Sequence, residues 1–146
     1  MVVYINMYST GNKNKLIGFT NGCYDILHVG HIRLLEYLRT KCNVLIVGID
    51  SDKRVKELKG AKRPFNNEKD RMLMLKSLRF VDDVYIFNSE QELTEMVKSL
   101  QPDIMVVGSD YKNKKVVGSE HAKKIEFFEK VDGYSTTRIL QDRLNR

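Results

Sequence analysis

One repeating alternation constrains this chain more than any other feature. Leu16-Ile17-Gly18-Phe19, Val44-Leu45-Ile46-Val47, Val84-Tyr85-Ile86-Phe87 and Ile104-Met105-Val106-Val107 are short apolar runs. An apolar run without polar alternation suits a strand buried on both faces, as in parallel sheets covered by helices. The intervening stretches carry helical spacing. The first run ends in Thr20-Asn21-Gly22, a turn signal, after which Ile32, Leu35 and Leu38 share one side of a helix. Asn66 or Asn67 can cap a helix whose apolar face is Met72, Leu75 and Leu78. Ser89 and Glu92 form a capping-box pattern. Behind them Leu93, Met96, Val97 and Leu100 recur at i, i+3, i+4 and i+7, and Pro102 stops that helix. Ile125 to Phe128 reads as a fifth strand, and Ser135 as the cap of a last helix through Leu144.

This order predicts an α/β fold, a Rossmann-like three-layer sandwich with a mainly parallel five-stranded sheet. Residues 1–14 read as an N-terminal extension and 15–146 as a single domain. Ligands of such folds bind at the carboxyl ends of the strands, near the switch in strand order. Chemistry is therefore sought just after Phe19, Val47 and Val107.

Charge narrows the partners. Lys and Arg number 25 against 19 Asp and Glu, a net charge of +6. A basic balance invites nucleic acid, an anionic membrane surface or a small phosphorylated ligand. No stretch approaches the roughly 18–20 apolar residues of a membrane helix. The apolar start lacks a basic flank and a small-residue cleavage site, so neither a signal peptide nor a membrane partner is expected. The lysines are scattered without a nucleic-acid-binding motif, and no nucleic-acid partner is expected. Two cysteines, Cys23 and Cys42, make neither a disulfide framework nor a metal cluster. A reduced, cytoplasmic setting fits them.

The loop after the first strand is the most informative segment. His28 and His31 flank Val29-Gly30 at the start of a helix, and a spacing of three puts both imidazoles on one side of its first turn. Gly30 lets a phosphate approach the backbone. The helix N-terminus adds N–H donors and positive potential. Together these groups make a polyphosphate cradle able to stabilise charge in an in-line displacement. The plainer reading is a pair of capping or packed histidines. A zinc pair would need further ligands, and only His121 and the two cysteines remain. Lys56, Lys59, Lys62 and Arg63 read as a basic loop after the second strand. Ser135-Thr136-Thr137 opens the last helix and, alone, reads as an N-cap. Asp25 and Asp110 alone read as turn or cap residues.

Gly22-Cys23-Tyr24-Asp25-Ile26-Leu27-His28-Val29-Gly30-His31 resembles the HxGH signature of the cytidylyltransferase-like nucleotidyltransferases. The resemblance continues through Lys59-Gly60 with Arg63-Pro64, Arg71, Val81-Asp82, Gly108-Ser109-Asp110-Tyr111 and Gly133-Tyr134-Ser135-Thr136-Thr137, in family order. It covers roughly residues 15–144. It implies transfer of a nucleoside monophosphate from a nucleoside triphosphate to a phosphorylated acceptor, with release of pyrophosphate. Mg²⁺ would be bound mainly through substrate phosphates, with no metal site on the protein, and the protein would be a homodimer.

The resemblance also assigns roles. His28, His31, Lys59 and Arg71 would be catalytic, Arg71 by holding the triphosphate. Lys59 and Arg63 would bind the acceptor. Thr20, Asn21, Gly22, Cys23, Asp25, Gly30, Gly108, Asp110, Tyr134, Ser135 and Thr136 would contact the nucleotide, Cys23 as filler rather than nucleophile. Within the family the chain looks most like heptose-1-phosphate adenylyltransferases, through Phe-Thr-Asn-Gly-Cys, Lys-Gly with Arg-Pro, Val117-Gly118-Ser119-Glu120 and Gly-Tyr-Ser-Thr-Thr. It departs from them at Val107-Gly108-Ser109-Asp110-Tyr111, where they tend to carry Lys-Gly-Gly-Asp-Tyr. A CTP:glycerol-3-phosphate cytidylyltransferase is the alternative inside the family. A non-catalytic nucleotide-binding module is the alternative outside it.

Overall fold

The computed structural model describes residues 14–129, 133 and 135–144. All but one residue of the expected N-terminal extension, and Tyr134, lie outside the described residues. The elements run β1 (Ile17–Gly22), α1 (Val29–Arg39), β2 (Val44–Asp50), α2 (Asp52–Lys59), α3 (Glu68–Lys76), β3 (Asp83–Phe87), α4 (Glu90–Leu100), β4 (Ile104–Gly108), β5 (Ile125–Phe128) and α5 (Thr136–Leu144). The sheet order is β3-β2-β1-β4-β5. Every pairing in it is parallel, so the expected mainly parallel sheet is wholly so.

Both faces of the sheet are covered, which is why its strands read as unbroken apolar runs. Along β2, Val44 and Ile46 join Phe19, Met105 and the α4 residues Leu93, Met96, Val97 and Leu100 in one buried cluster. Leu45, Val47 and Ile49 point the other way, to Leu35 and Leu38 of α1 and Leu75 of α3. The four apolar positions expected on α4 are all at most 2% exposed. At its start the hydroxyl of Ser89 accepts from the N–H of Glu92, while the Glu92 carboxylate reaches past the cap to the N–H of Asn88. Asn67 caps α3, its Oδ1 accepting from the N–H of Asp70.

One helix contradicts the sequence reading. Lys56 and Lys59 do not lie in a loop after β2: they belong to α2, capped by Ser51, whose hydroxyl accepts from the N–H of Arg54. Only Val55 of this helix is buried, so no apolar stripe announces it. Lys62 and Arg63 do follow the helix in irregular chain.

The sheet also builds the crevice. β1 pairs with β2 over six positions, from Ile17 with Val44 to Gly22 with Ile49. It pairs with β4 only at Gly18 with Ile104 and Phe19 with Met105. Beyond Phe19 the two strands part at their carboxyl ends, at the switch in strand order, where α/β sheets hold ligands. Gly118 closes the segment leading to β5. Its φ is +81°, and a Cβ there would lie 2.9 Å from Cγ2 of Val97. Gly118→Ala is therefore expected to destabilise by about 1–3 kcal/mol, from left-handed strain and overpacking together. An unchanged urea midpoint would contradict that contact.

Candidate functional site

Where β1 and β4 part, a cleft of about 330 Å³ opens, lined by Asn21 and Gly22 at the end of β1 with Cys23 just beyond, Asp50 at the end of β2 and Val107 with Gly108 at the end of β4. These are the three strand ends at which the sequence predicts chemistry. Arg54, Leu58 and Lys59 of α2 form one wall, and Glu90 and Leu93 of α4 another. Tyr111 and the stretch Lys115, Val116 and Val117 close the rim, with Phe87 behind.

The histidines stand beside this cleft at the N-terminus of α1. Cys23 and the residues up to His28 must turn the chain from strand to helix, and Tyr24 does so in the left-handed region at φ +51°. Its buried phenol, 3.5 Å from the hydroxyl of Thr20, is pushed up to about 12 by burial. That contact packs Thr20, 1% exposed, against the Tyr24 ring, and Thr20 is not among the residues lining the cleft.

His28 and His31 form a reciprocal capping box. Nδ1 of His28 accepts from the N–H of Gly30 at 3.1 Å, and Nδ1 of His31 accepts from the N–H of His28 at 3.3 Å. The rings stack with centroids 3.8 Å apart, and His31 also lies 4.9 Å from the Tyr24 ring. The pair thus caps the helix, as the plainer reading has it. The caps have a chemical consequence. A neutral imidazole whose Nδ1 accepts carries its proton on Nε2. Both rings are therefore held as Nε2–H donors.

Burial keeps them neutral. It lowers the pKa of His28, and it drives that of His31 down to about 3, with repulsion from Lys59 and from His28, should that ring protonate, acting the same way. His31 should therefore show no imidazole titration between pH 8 and 5 by NMR, and a midpoint near 6.5 would contradict this environment. The folded pKa lies below the ordinary value of about 6.5, so the unfolded chain takes up the proton first as pH falls. The contribution of His31 to stability is complete above pH 6.5 and is lost from there toward pH 3.

The other predicted residues divide by geometry. Lys59 ends α2 on the cleft wall and acts electrostatically on both Cys23 and His31, so it joins the cleft to the histidines. Burial raises the pKa of the Cys23 thiol, which fits filler better than nucleophile. Asp25, 3% exposed, has its carboxylate taken up by the chain: it accepts from Nε of Arg63 at 2.9 Å and from the N–H groups of Phe65 and Asn66 at 2.8 Å each. It ties the histidine loop to residues 63–66. Nη2 of Arg63 is buried with no hydrogen-bond partner among the described residues.

Arg71, expected to hold the triphosphate, lies within the fold with every guanidinium nitrogen hydrogen-bonded. It is 1% exposed. Its Nε donates to the carbonyl of Asn66, its Nη1 to the carbonyls of Cys23 and Asp50, and its Nη2 to the Asp52 carboxylate, at 2.8–3.0 Å. Through these bonds Arg71 braces the ends of β1 and β2. Gly108 lines the cleft, and a Cβ there would meet Oδ1 of Asp110 at 2.6 Å. Ser135 caps α5 through the N–H of Arg138, and the Thr136 hydroxyl donates to the carbonyl of Ile26 at 3.3 Å. A second helix N-terminus thus abuts the histidine loop.

Sequence reasoning missed Asp50, Arg54, Glu90, Tyr111 and Lys115 on the cleft. The available signal was Ser51 with Asp52 directly after a strand, a cap and an acidic first turn that announce a helix.

Comparison with known proteins adds the relations of the chain. The family model described as cytidylyltransferase-like matches residues 19–142. The chain is 50% identical over 128 residues, 88% of its length, to the bifunctional protein HldE of Campylobacter fetus subsp. fetus. It is 46% identical over 130 residues, 89% of its length, to that of Helicobacter pylori strain G27. It spans 28% of the length of each of these relatives. Among solved structures, a lipopolysaccharide core biosynthesis protein from Thermoplasma volcanium GSS1 aligns with a TM-score of 0.67 at 24% identity, covering 82% of this chain and all of that one. Pantoate-beta-alanine ligase from Francisella tularensis aligns at 0.64 and 16% identity, over 88% of this chain and 64% of that one. These two likenesses concern the fold.

Proposed function

The chain belongs to the cytidylyltransferase-like family, and on that premise we propose that it transfers a nucleoside monophosphate, adenylyl in the first instance, from a nucleoside triphosphate to a sugar 1-phosphate of the heptose type, releasing pyrophosphate. One observation carries the reading: two neutral imidazoles, each fixed by its cap as an Nε2–H donor, at a helix N-terminus beside the parting of β1 and β4. Neutral donors, an N-terminal helix dipole and a lysine together suit a phosphoryl group that gains charge on its equatorial oxygens.

An oxygen of the acceptor phosphate attacks the α-phosphorus in line. The new P–O bond forms as the bond to the β-phosphate breaks, and pyrophosphate leaves with the electron pair. The acceptor phosphate is already ionised near neutral pH, so no general base and no covalent enzyme intermediate are needed. His28 and His31 donate from Nε2 to the oxygens of the transferring group. Gly30 leaves room for it, and Lys59 adds charge between it and the acceptor. Arg63, oriented by Asp25 and with its buried Nη2 unpartnered among the described residues, donates to the acceptor. Asn21, Gly22, Cys23, Gly108, Asp110 and Tyr134 contact the nucleotide, and Ser135 and Thr136 at the start of α5 take the β- and γ-phosphates.

Mg²⁺ fits as a companion of the triphosphate. Phosphate oxygens would be its main ligands. When bound it neutralises the phosphates and the leaving pyrophosphate. No helix among the described residues is long and apolar enough to cross a membrane. The free thiols of Cys23 and Cys42 support a cytoplasmic setting. A homodimer belongs to the same proposal and is checked by sedimentation equilibrium.

The test is pyrophosphate release from ATP and from CTP across heptose 1-phosphate, other sugar 1-phosphates and glycerol 3-phosphate. ATP with heptose 1-phosphate is expected to be the best pair. CTP with glycerol 3-phosphate as the best pair would overturn the substrate assignment, and release from no pair would favour a non-catalytic nucleotide-binding module. The glycerol-phosphate reading is not favoured, because the relatives near 50% identity are HldE proteins.

A further inference from the structure

The cleft beside the histidines has a wall that the transfer chemistry does not use. Arg54 stands on α2 with Nε donating to Oδ1 of Asp50 at 2.7 Å. Its guanidinium lies 5.6 Å from the centroid of the Phe87 ring, and Nη2 is 4.0 Å from Oε1 of Glu90 on α4. Its side chain is 16% exposed, and among the described residues neither Nη group makes a hydrogen bond. A guanidinium fixed along one edge, resting on an aromatic ring and lining a cleft is a preorganised donor for a bound molecule.

The surroundings say what kind of molecule. Asp50, Arg54 and Glu90 form an acceptor–donor–acceptor row, and hydroxyl groups both donate and accept. The row alone is net negative, which opposes a second phosphate. With Lys59 and Lys115 the titratable residues lining the cleft carry +1. That balance suits one phosphate with neutral hydroxyls attached. Phe87, Leu93, Val107 and Val116, each less than 10% exposed, give an apolar floor for carbon-bound hydrogens. About 330 Å³ lies at the small end of ligand sites, which run to about 1,000 Å³. That is room enough for a monosaccharide beside the strand ends.

The geometry points to the row Asp50–Arg54–Glu90 as the wall that reads the hydroxyls of the acceptor beyond its phosphate, with Arg54 and Glu90 as the specificity-determining contacts. This deepens the proposed function and rests on it for the identity of the acceptor. A three-carbon acceptor anchored at Lys59 would leave the row unused, whereas a heptose would fill it.

Calorimetric binding to the intact chain, without turnover, tests this with heptose 1-phosphate, glycerol 3-phosphate and ATP. Glu90 is exposed, so Glu90→Ala should fold normally. It is expected to weaken heptose 1-phosphate binding about tenfold and to leave glycerol 3-phosphate and ATP binding unchanged. Arg54→Met, which keeps the stem over Phe87, should have the same selectivity and at least the same size. Equal weakening for both acceptors, weakening for neither, or no binding of heptose 1-phosphate by the parent chain would each overturn the inference. Selective weakening in a chain that transfers nothing would overturn the proposed reaction and leave the wall standing. Transfer to heptose 1-phosphate with an indifferent Glu90→Ala would overturn the wall alone.

Discussion

His28→Asn is expected to fold as stably as the parent chain and to turn over about 10²–10³-fold more slowly. The two halves of this result separate because the ring does two jobs through two nitrogens. Nδ1 caps α1 by accepting from the N–H of Gly30. An asparagine Oδ1 hangs from the same γ-carbon position, and asparagine is among the best N-caps. The cap therefore survives while the Nε2–H is deleted. His28→Gln does the reverse. Its amide nitrogen reaches the Nε2 position, but the cap is lost, at a cost of about 1 kcal/mol. It should retain more turnover than His28→Asn while unfolding at a lower temperature. Thermal unfolding and kcat on both variants decide the matter. Unchanged turnover in His28→Asn would reduce His28 to a cap. His31→Asn repeats the test on the other half of the box, because Nδ1 of His31 accepts from the N–H of His28.

Arg71→Met is expected to cost about 3–5 kcal/mol of stability, the usual penalty for removing one partner of a buried charge pair. The methionine fills much of the space, so the loss is electrostatic more than steric. It strands the carbonyls of Cys23, Asp50 and Asn66 and leaves Asp52 without its partner. At about 2–4 °C per kcal/mol for a chain of this size, Tm should fall on the order of 10 °C. Turnover falls too, because the braced carbonyls terminate β1 and β2 at the cleft. The original expectation from the sequence, a guanidinium holding the triphosphate, makes the opposite forecast: a raised KM for the nucleotide with Tm unchanged. Scanning calorimetry with nucleotide KM on the same variant separates the two.

Why the surroundings of Arg71 are not legible in the sequence while the apolar face of α4 is legible is a question of range. The α4 stripe of Leu93, Met96, Val97 and Leu100 is local: four apolar residues at helical spacing must face a core, and they do. The strands are local in the same sense, because a run apolar on both sides has only a doubly covered sheet to enter. Arg71 is different. Its partners sit 5, 19, 21 and 48 residues away, so nothing within the helix says that its charge is buried and spent. By residue type alone it reads as a ligand contact. The burial of Thr20 is similarly illegible, since its place is set by the turn of Tyr24 back onto β1. Helix α2 was missed for a third reason. It buries only Val55, and six of its eight residues are charged, the pattern of a solvated loop. The histidine pair was legible because its spacing, its glycine and its place after a strand are all local. What spacing alone could not give was the reciprocal cap, and with it the protonation of each ring.

The most direct test of the proposed reaction follows the label from ATP in a single turnover with heptose 1-phosphate. Phosphorus-32 in the α-position should appear in a nucleoside diphosphate sugar, and phosphorus-32 in the γ-position should leave entirely as pyrophosphate, with none retained on the protein. Label from the γ-position on the sugar, α-label held covalently by the chain, or no transfer in either experiment would contradict it.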